Sequence, residues 1–443
     1  MAHKPVHRET IERLLDAITL TIGEDGMMSS FSFGKPGSRM HDRRMGTEIY
    51  YHQREMTLAV LYVRKHGPLY LRYLPIRKIW SMLQHFISEN FWYLADECFG
   101  PRFEGTLAKN VSDATKERLS DTIATDSIFV PVNELSLFPL VSVKVTADFD
   151  SDAFFLAGDD GLTPARLPSG MRPNFIKSAQ FPPIAEWDGK KHITSAWLGV
   201  HSPAPESAER QKAIILGAIA LTPLPGYRHM FSGRTMFGGR CTIGSTATTS
   251  FGDPHTPPMM HDIIITERDH EWLGILADKL NRNEKALRRQ MRALHYFYRA
   301  WPLDPSERFA PLCMSLDAIF GEAGSADQAI IDSVRSVIGS HVEDARLRKL
   351  MDLRAAVLHG GAPEVYDSSK YDEYYEAYGT DPIREMELVV AHCLRARVFD
   401  FKLIEHDDPN ADVIRQAQSA GRFPPNLRQA SILDAPAYAI PKI

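Results

Sequence analysis

Cysteine is scarce in this chain: four residues among 443, Cys98, Cys241, Cys313 and Cys393, far apart and with no Cys-x-x-Cys pair. Such spacing supports neither a disulfide framework nor a zinc site, and all four read as reduced core residues. Long apolar runs are missing too, since no stretch approaches the ~18 uninterrupted apolar residues of a membrane-spanning helix. The first residues, Met-Ala-His-Lys-Pro-Val-His-Arg, lack the apolar centre of a signal peptide. Together these absences lead us to expect a cytoplasmic protein without a membrane partner. An excess of one charge sign is lacking as well. The 51 basic and 56 acidic residues leave a net charge of −5, which argues against indiscriminate coating of nucleic acid but leaves local basic patches open. The glycines of Phe237-Gly238-Gly239-Arg240 match neither a phosphate-binding loop nor a dinucleotide fingerprint. Asp253, His255, His261 and Asp262 lie among prolines without a helix or hairpin frame, so we expect no metal site and no cofactor. There is no internal repeat and no low-complexity tract.

What is present is ordinary globular composition, 44% hydrophobic and 24% charged residues, in a chain long enough for two or three domains. Residues 1–265 read as a mixed α/β region. A helix is predicted at 9–22, with Ile11, Leu14, Leu15, Ile18 and Ile22 on one side. A loop carrying Lys35, Arg39, Arg43 and Arg44 follows. Residues 57–64 and 69–74 flank His66-Gly67-Pro68 and read as two strands around a turn. Pro75 opens a helix with Ile79, Trp80, Leu83, Phe86 and Ile87 at helical spacing. Further strands are predicted at 127–132, 140–147, 153–157, 193–200 and 262–265, and a helix at 206–219. The Gly-, Pro- and Asp-rich stretch 158–190 is a long loop or a seam between subdomains.

From Thr266 the period becomes helical. Trp272, Leu273, Leu276 and Leu280 mark one helix; Leu287, Met291, Leu294, Tyr298 and Trp301 mark a second. Asp304-Pro305-Ser306-Glu307 is a start signal combining a side-chain cap, Pro at the first helical position and a carboxylate beyond the cap. Leu312, Leu316, Ile319 and Phe320 carry that third helix, and Ile330, Ile331, Val334, Val337 and Ile338 the fourth. Asp381-Pro382 opens a last helix with Ile383, Met386, Val390, Cys393, Leu394 and Phe401. The whole is an α+β multidomain chain: mixed α/β over 1–265, an all-α bundle over 266–402 and an irregular tail over 403–443.

The helix between the fourth and the last carries the chemistry. Leu347, Leu350, Met351 and Leu358 form its apolar stripe, and Arg354 stands in the middle of that stripe. A guanidinium there needs a partner or a wet cleft. His359 closes the helix ahead of Gly360, a natural left-handed cap, where the helix dipole favours a protonated imidazole. Without a family context, a structural salt bridge at a helix end is the simpler account of this pair. Arg346, Arg348 and Lys349 adjoin it as candidates for phosphate contacts.

The pattern Arg354-x4-His359-Gly360 resembles the active-site motif of the HEPN superfamily, in particular its ApeA-like branch. Leu-Asp-Ala-Ile-Phe at 316–320 looks like that branch's second-helix signature, and the resemblance covers roughly 266–402. It implies a homodimer, or a larger even assembly, in which two such motifs line one cleft. It also implies a metal-independent endoribonuclease in a prokaryotic anti-phage or toxin-like setting, with residues 1–265 sensing a trigger or partner, or restraining the nuclease. The chemistry suits RNA, which supplies its own 2′-hydroxyl nucleophile. The protein then need only move protons through His359 and stabilise phosphate charge through Arg354. The alternative is a non-catalytic HEPN module for dimerisation or nucleotide binding. It is favoured by Ala355, which stands where many active members carry a small polar residue.

Two other features have plain readings. Arg282, Lys285, Arg288, Arg289 and Arg292, with Asn281 and Glu284 beside them, read as a solvated helix face as readily as an RNA track. Tyr366, Tyr371, Tyr374, Tyr375 and Tyr378 alternate with acidic residues and read as a loop packed over the helices rather than as a base-stacking platform.

Overall fold

The computed structural model describes residues 5–19, 26–32, 34–35, 39, 46–94, 97, 105–168, 194–244, 246–321, 327–361, 364–422 and 431–434. Most of the 158–190 loop, with Ile22, Arg43, Arg44 and Cys98, lies outside them. The chain is mixed α/β and forms two compact units, Met1–Glu134 with Ser202–Ser207, and Leu135–His201 with Ala208–Ile443.

In the first unit, helices α1 (Val6–Asp16), α2 (Gln53–His66), α3 (Ile76–Asn90), α4 (Leu107–Asn110) and α5 (Asp113–Thr125) accompany a small antiparallel sheet. That sheet joins β1 (Ile18–Thr19), β2 (Gly26–Ser32) and β3 (Gly46–His52) in the order β1-β3-β2. Three expectations are corrected here. The first helix stops at Asp16 rather than running to 22, because Ile18 and Thr19 pair with Tyr51 and Tyr50 of β3. The hairpin expected at 57–74 is α2 followed by a short 3-10 turn, Leu69–Tyr73. Met56, Ala59, Val60 and Val63 are buried at helical spacing, while Leu58 and Leu61 are 47% and 42% exposed. Those solvent-side leucines filled in the pattern and hid its period. Nor is 127–132 a strand: it is turn and irregular chain, with Val130 and Val132 59% and 79% exposed.

In the second unit, β4 (Glu134–Leu140), β6 (Phe149–Asp150), β7 (Phe154–Gly158), β8 (Ala196–Ser202), β9 (Gly238–Ile243) and β10 (Ala247–Pro254) form one sheet ordered β10-β9-β4-β8-β7-β6. A separate parallel pair joins β5 (Val143–Val145) to β11 (Ile263–Ile265). The helices are α6 (Pro205–Ile219), α7 (His270–Leu280), α8 (Lys285–Ala300), α9 (Pro305–Phe320), α10 (Asp327–Ile338), α11 (Asp344–Leu358), α12 (Ser369–Tyr378), α13 (Pro382–Phe399) and α14 (Ala411–Ser419). No strand interrupts the described residues of 305–358. The change of period at 266 does not divide the packing. One core holds Phe138, Leu156 and Leu198 of the sheet together with Trp272, Leu294, Leu316 and Leu394 of the helices. The expected tyrosine loop is helix α12, and the tail, expected to be irregular throughout, contains α14.

α13 is the axis of the helical part. Asp381 caps it by accepting from the Ile383 N–H at 2.9 Å, and Pro382 fits its first turn. It is buried on nearly every face, from Ile383 through Val390 to Phe399. For α9, Pro305 is at the first helical position as expected, but the Asp304 side chain makes no capping bond.

α6 crosses α8 at Gly217, where an added Cβ would lie 2.1 Å from the Leu294 carbonyl oxygen. Helix propensity favours alanine by about 1 kcal/mol, but backbone atoms in contact cannot yield as a flexible side chain would. Gly217→Ala is therefore expected to destabilise the chain by about 1–2 kcal/mol net. A urea midpoint that rises in the variant would contradict this close crossing.

A buried polar pair sits nearby. Lys212 Nζ donates to His255 Nδ1 at 3.1 Å, and His255 Nε2 donates to the Gly239 carbonyl at 2.7 Å. Burial, reinforced by the Lys212 charge, pushes His255 down from 6.5 to about 3. Burial, with Arg210 and Arg299, lowers His295 to about 4. Below pH 6.5 the unfolded chain therefore takes up protons that the folded chain refuses. Stability is fully present above that pH and is expected to fall by about 1.4 kcal/mol per unit for each histidine as the pH drops. Chemical denaturation from pH 7 to pH 4.5 reads the slope, which His255→Gln should reduce; an unchanged slope would refute the assignment.

Candidate active site

α11 packs against α9, α10 and α12, burying Leu347, Leu350, Met351 and Leu353. From Arg354 to Leu358 every residue is half-buried, and His359 and Gly360 are exposed. The helix ends in a Schellman turn: Gly360 is left-handed at φ 75°, and the Gly361 N–H donates to the Ala356 carbonyl at 2.8 Å. This termination leaves His359 at the C-cap, just past Leu358, its ring without a hydrogen-bond partner among the described residues.

Arg354, with its side chain 17% exposed, is ion-paired. Its Nε and Nη2 both donate to Asp317 Oδ2, at 3.3 and 2.7 Å, and Nη1 donates to Asp327 Oδ1 at 3.1 Å. Burial alone would lower the guanidinium's pKa; the hydrogen bond and charge of Asp317 more than offset that, so it is raised. Asp317 comes from α9 and Asp327 from the start of α10, so three helices meet at this cation. Asp317 Oδ1 is buried and makes no hydrogen bond among the described residues. On a regular helix, positions five apart are separated by about 140°, so Arg354 and His359 share an end of α11 and not a face.

The neighbouring cations are dispersed. Arg346 turns inward: Nε donates to Tyr374 Oη at 3.1 Å, Nη2 to Thr380 Oγ1 at 3.1 Å, and Nη2 lies 2.6 Å from Glu385. Its guanidinium also lies 4.8 Å over the Tyr378 ring. Arg348 is exposed and pairs with Asp344 at 2.9 Å and with Gln328, while Lys349 lies 3.8 Å from Glu373. In the basic run of α8, Arg289 is not on a solvated face: it donates to the Ala318, Ile319 and Gly321 carbonyls and so caps the C-terminus of α9. Arg282 pairs with Glu284 at 2.8 Å. His255 and Asp262 are engaged elsewhere, Asp262 with Arg234 and Lys144. Among the described residues no group of three His, Cys, Asp or Glu side chains is placed to hold a metal ion.

Sequence reading missed Asp317 and Asp327 as partners of Arg354. Asp317 carried a signal, being the one carboxylate inside the apolar run of α9, which is expensive without a buried cation to meet it. Compared with known proteins, the chain matches no family model, no curated protein and no solved structure. Among the described residues no helix is long and apolar enough to cross a membrane.

Proposed function

We propose that the chain is a metal-independent endoribonuclease of HEPN type, ApeA-like over 266–402, acting as an effector in prokaryotic defence. The observation that carries this reading is the end of α11, where an exposed His359, without a hydrogen-bond partner among the described residues, follows a half-buried, cationic Arg354. His359 exchanges protons with the attacking 2′-hydroxyl or the leaving oxygen. Arg354 is oriented by Asp317 and answers the phosphate charge. Among the described residues its Nη1 is tied only to Asp327, a carboxylate 49% exposed, so this is the donor most readily released to a phosphate oxygen. Arg348 and Lys349 supply further contacts to the RNA backbone, whereas Arg346, held inward by Tyr374 and Glu385, is not free to do so. Because the pair does not share one face, a second copy brings its own α11 to complete the cleft, in a homodimer or larger even assembly. Residues 1–265 sense the trigger or restrain the nuclease.

A specific observation favours a second reading. Each nitrogen of Arg354 donates to a carboxylate, which is also what a purely structural ion cluster looks like, and Ala355 follows it. On that reading the helices form a non-catalytic HEPN module for dimerisation or nucleotide binding. Expression in a bacterial host, with candidate triggers supplied, separates the two. The nuclease is toxic and His359→Ala is harmless; equal behaviour of both chains, with a monomer in light scattering, supports neither catalysis nor the shared cleft.

A further inference from the structure

Among the described residues β11 has a strand neighbour, β5, on one side only. In its parallel register, Ile263 lies opposite Val143 and Ile265 opposite Val145. The Ile263 N–H donates to the Ser142 carbonyl at 2.9 Å, and the Ile265 carbonyl accepts from the Thr146 N–H at 2.9 Å. By strand alternation the N–H and C=O of Ile264 point to the opposite edge. Neither has a hydrogen-bond partner among the described residues. An open edge of this kind is a template for another strand.

That edge lines a cavity of about 560 Å³, a volume in the range of ligand clefts. Ile264 and Ile404 line it while 47% and 61% exposed, leaving aliphatic surface uncovered beside the unpaired main chain. Its charge is uneven. Of the five carboxylates around it, three are held: Asp262 by Lys144 and Arg234, Asp269 by His406, and Glu405 by Arg395. Glu267 and Asp407 have no ion pair among the described residues, against one unpaired guanidinium, Arg268.

We infer that this edge binds an extended peptide segment of a partner protein as an added strand. The segment's main chain pairs with Ile264, an apolar side chain covers Ile264 and Ile404, and an adjacent Lys or Arg faces Glu267 and Asp407. Main-chain pairing supplies affinity and the flanking surface supplies selectivity. The inference does not rest on the ribonuclease reading, because binding is measured without RNA and without any activity.

The probes are fluorescein-labelled heptapeptides Ser-Val-Thr-X-Lys-Val-Ser, with X as Leu, Phe or Met, titrated with the full chain and followed by anisotropy. At least one should bind, and replacing its Lys by Glu should weaken binding at least ~10-fold. N-methylating one alternate set of backbone amides should abolish binding, while methylating the other set should not, since a strand pairs through every second residue. Asp407→Lys and Ile404→Ser, both at exposed positions, should each weaken the Lys peptide, and Asp407→Lys should favour the Glu peptide. No binding by any of the three up to about 1 mM, or binding indifferent to both methylation patterns, overturns the inference. Binding that ignores the Lys-to-Glu exchange overturns its charge assignment.

Discussion

His359→Ala is expected to lower RNA cleavage by at least ~10²-fold, the usual scale for losing a proton-transfer group, while leaving a folded chain. The ring is exposed and has no hydrogen-bond partner among the described residues, so its loss strands no buried group. Arg354→Ala should lower the rate as much, but it is the less clean experiment. It leaves Asp317, part-buried and already carrying one unsatisfied oxygen, beside Asp327 without their cation. Loss of stability should accompany it, by about 1–3 kcal/mol for the unpaired carboxylate. Arg354→Lys separates the effects, keeping the charge while losing the fork that reaches both carboxylates. If the 2′-hydroxyl is the nucleophile, substrates with deoxyribose at the cut site should resist, and products should end in a 2′,3′-cyclic phosphate or its hydrolysed form. Chelators should leave the rate untouched. Cellular RNA incubated with wild-type and His359→Ala chains, with trigger candidates present, is the direct assay. Equal cleavage by the two chains, or none by either under every condition, would replace the enzyme by the binding module.

Loss of Glu387 should strongly destabilise the fold. This carboxylate, on α13, lies 2.5 Å from Arg228 and 2.8 Å from His229, with Arg308 3.9 Å away. Arg228 is 1% and Glu387 5% exposed. Arg228 also donates to the Ala220 and Pro223 carbonyls, and its own carbonyl accepts from the Trp301 indole at 3.0 Å. Glu387 is thus the carboxylate that meets the Arg228 guanidinium, a cation shut off from water. Removing it leaves uncompensated charge, and Glu387→Ala should cost about 3–5 kcal/mol. Burial alone would raise the Glu387 pKa, but the charge of Arg228 and the hydrogen bond to His229 bring it down from 4.5 to about 2. Its stabilisation is therefore complete above the ordinary value of 4.5 and lost as the pH falls from there toward 2. Urea titrations of Glu387→Ala and of the milder Glu387→Gln measure the effect, and losses below about 1 kcal/mol in both would show the cluster to be idle. Replacing Arg228 by Met along with Glu387 by Leu should recover part of the loss, because no lone charge then remains from that pair.

Helical period from 266 onward was legible because one-sided burial against a common core imposes it on the sequence, as Leu312, Leu316, Ile330, Val334, Leu347 and Leu350 show. The end of α11 was legible for a local reason: Gly360 after His359 adopts the left-handed conformation that a side chain disfavours. The helix at 53–66 was not legible, since Leu58 and Leu61 on its solvent side break the contrast between faces. Composition likewise could not divide the packing. Periodicity reports how each segment meets its own surroundings, whereas the shared core of the sheet and the helical bundle joins residues far apart in the chain.

The candidate site divides in the same way. By itself the sequence determined that Arg354 and His359 stand at the C-terminal end of one helix and on different faces, because helix rotation and the glycine cap, both local, fix all of this. Only the tertiary structure decided what Arg354 touches. Asp317 lies 37 residues before it and Asp327 27 residues before it, on helices brought together by their apolar faces. The same holds for Arg346, whose neighbours in sequence suggested a surface cluster but whose side chain turns in to Tyr374 and Glu385. Charge pairing depends on distance in space, which a single sequence leaves unstated, whereas helix ends and apolar stripes are set by near neighbours along the chain.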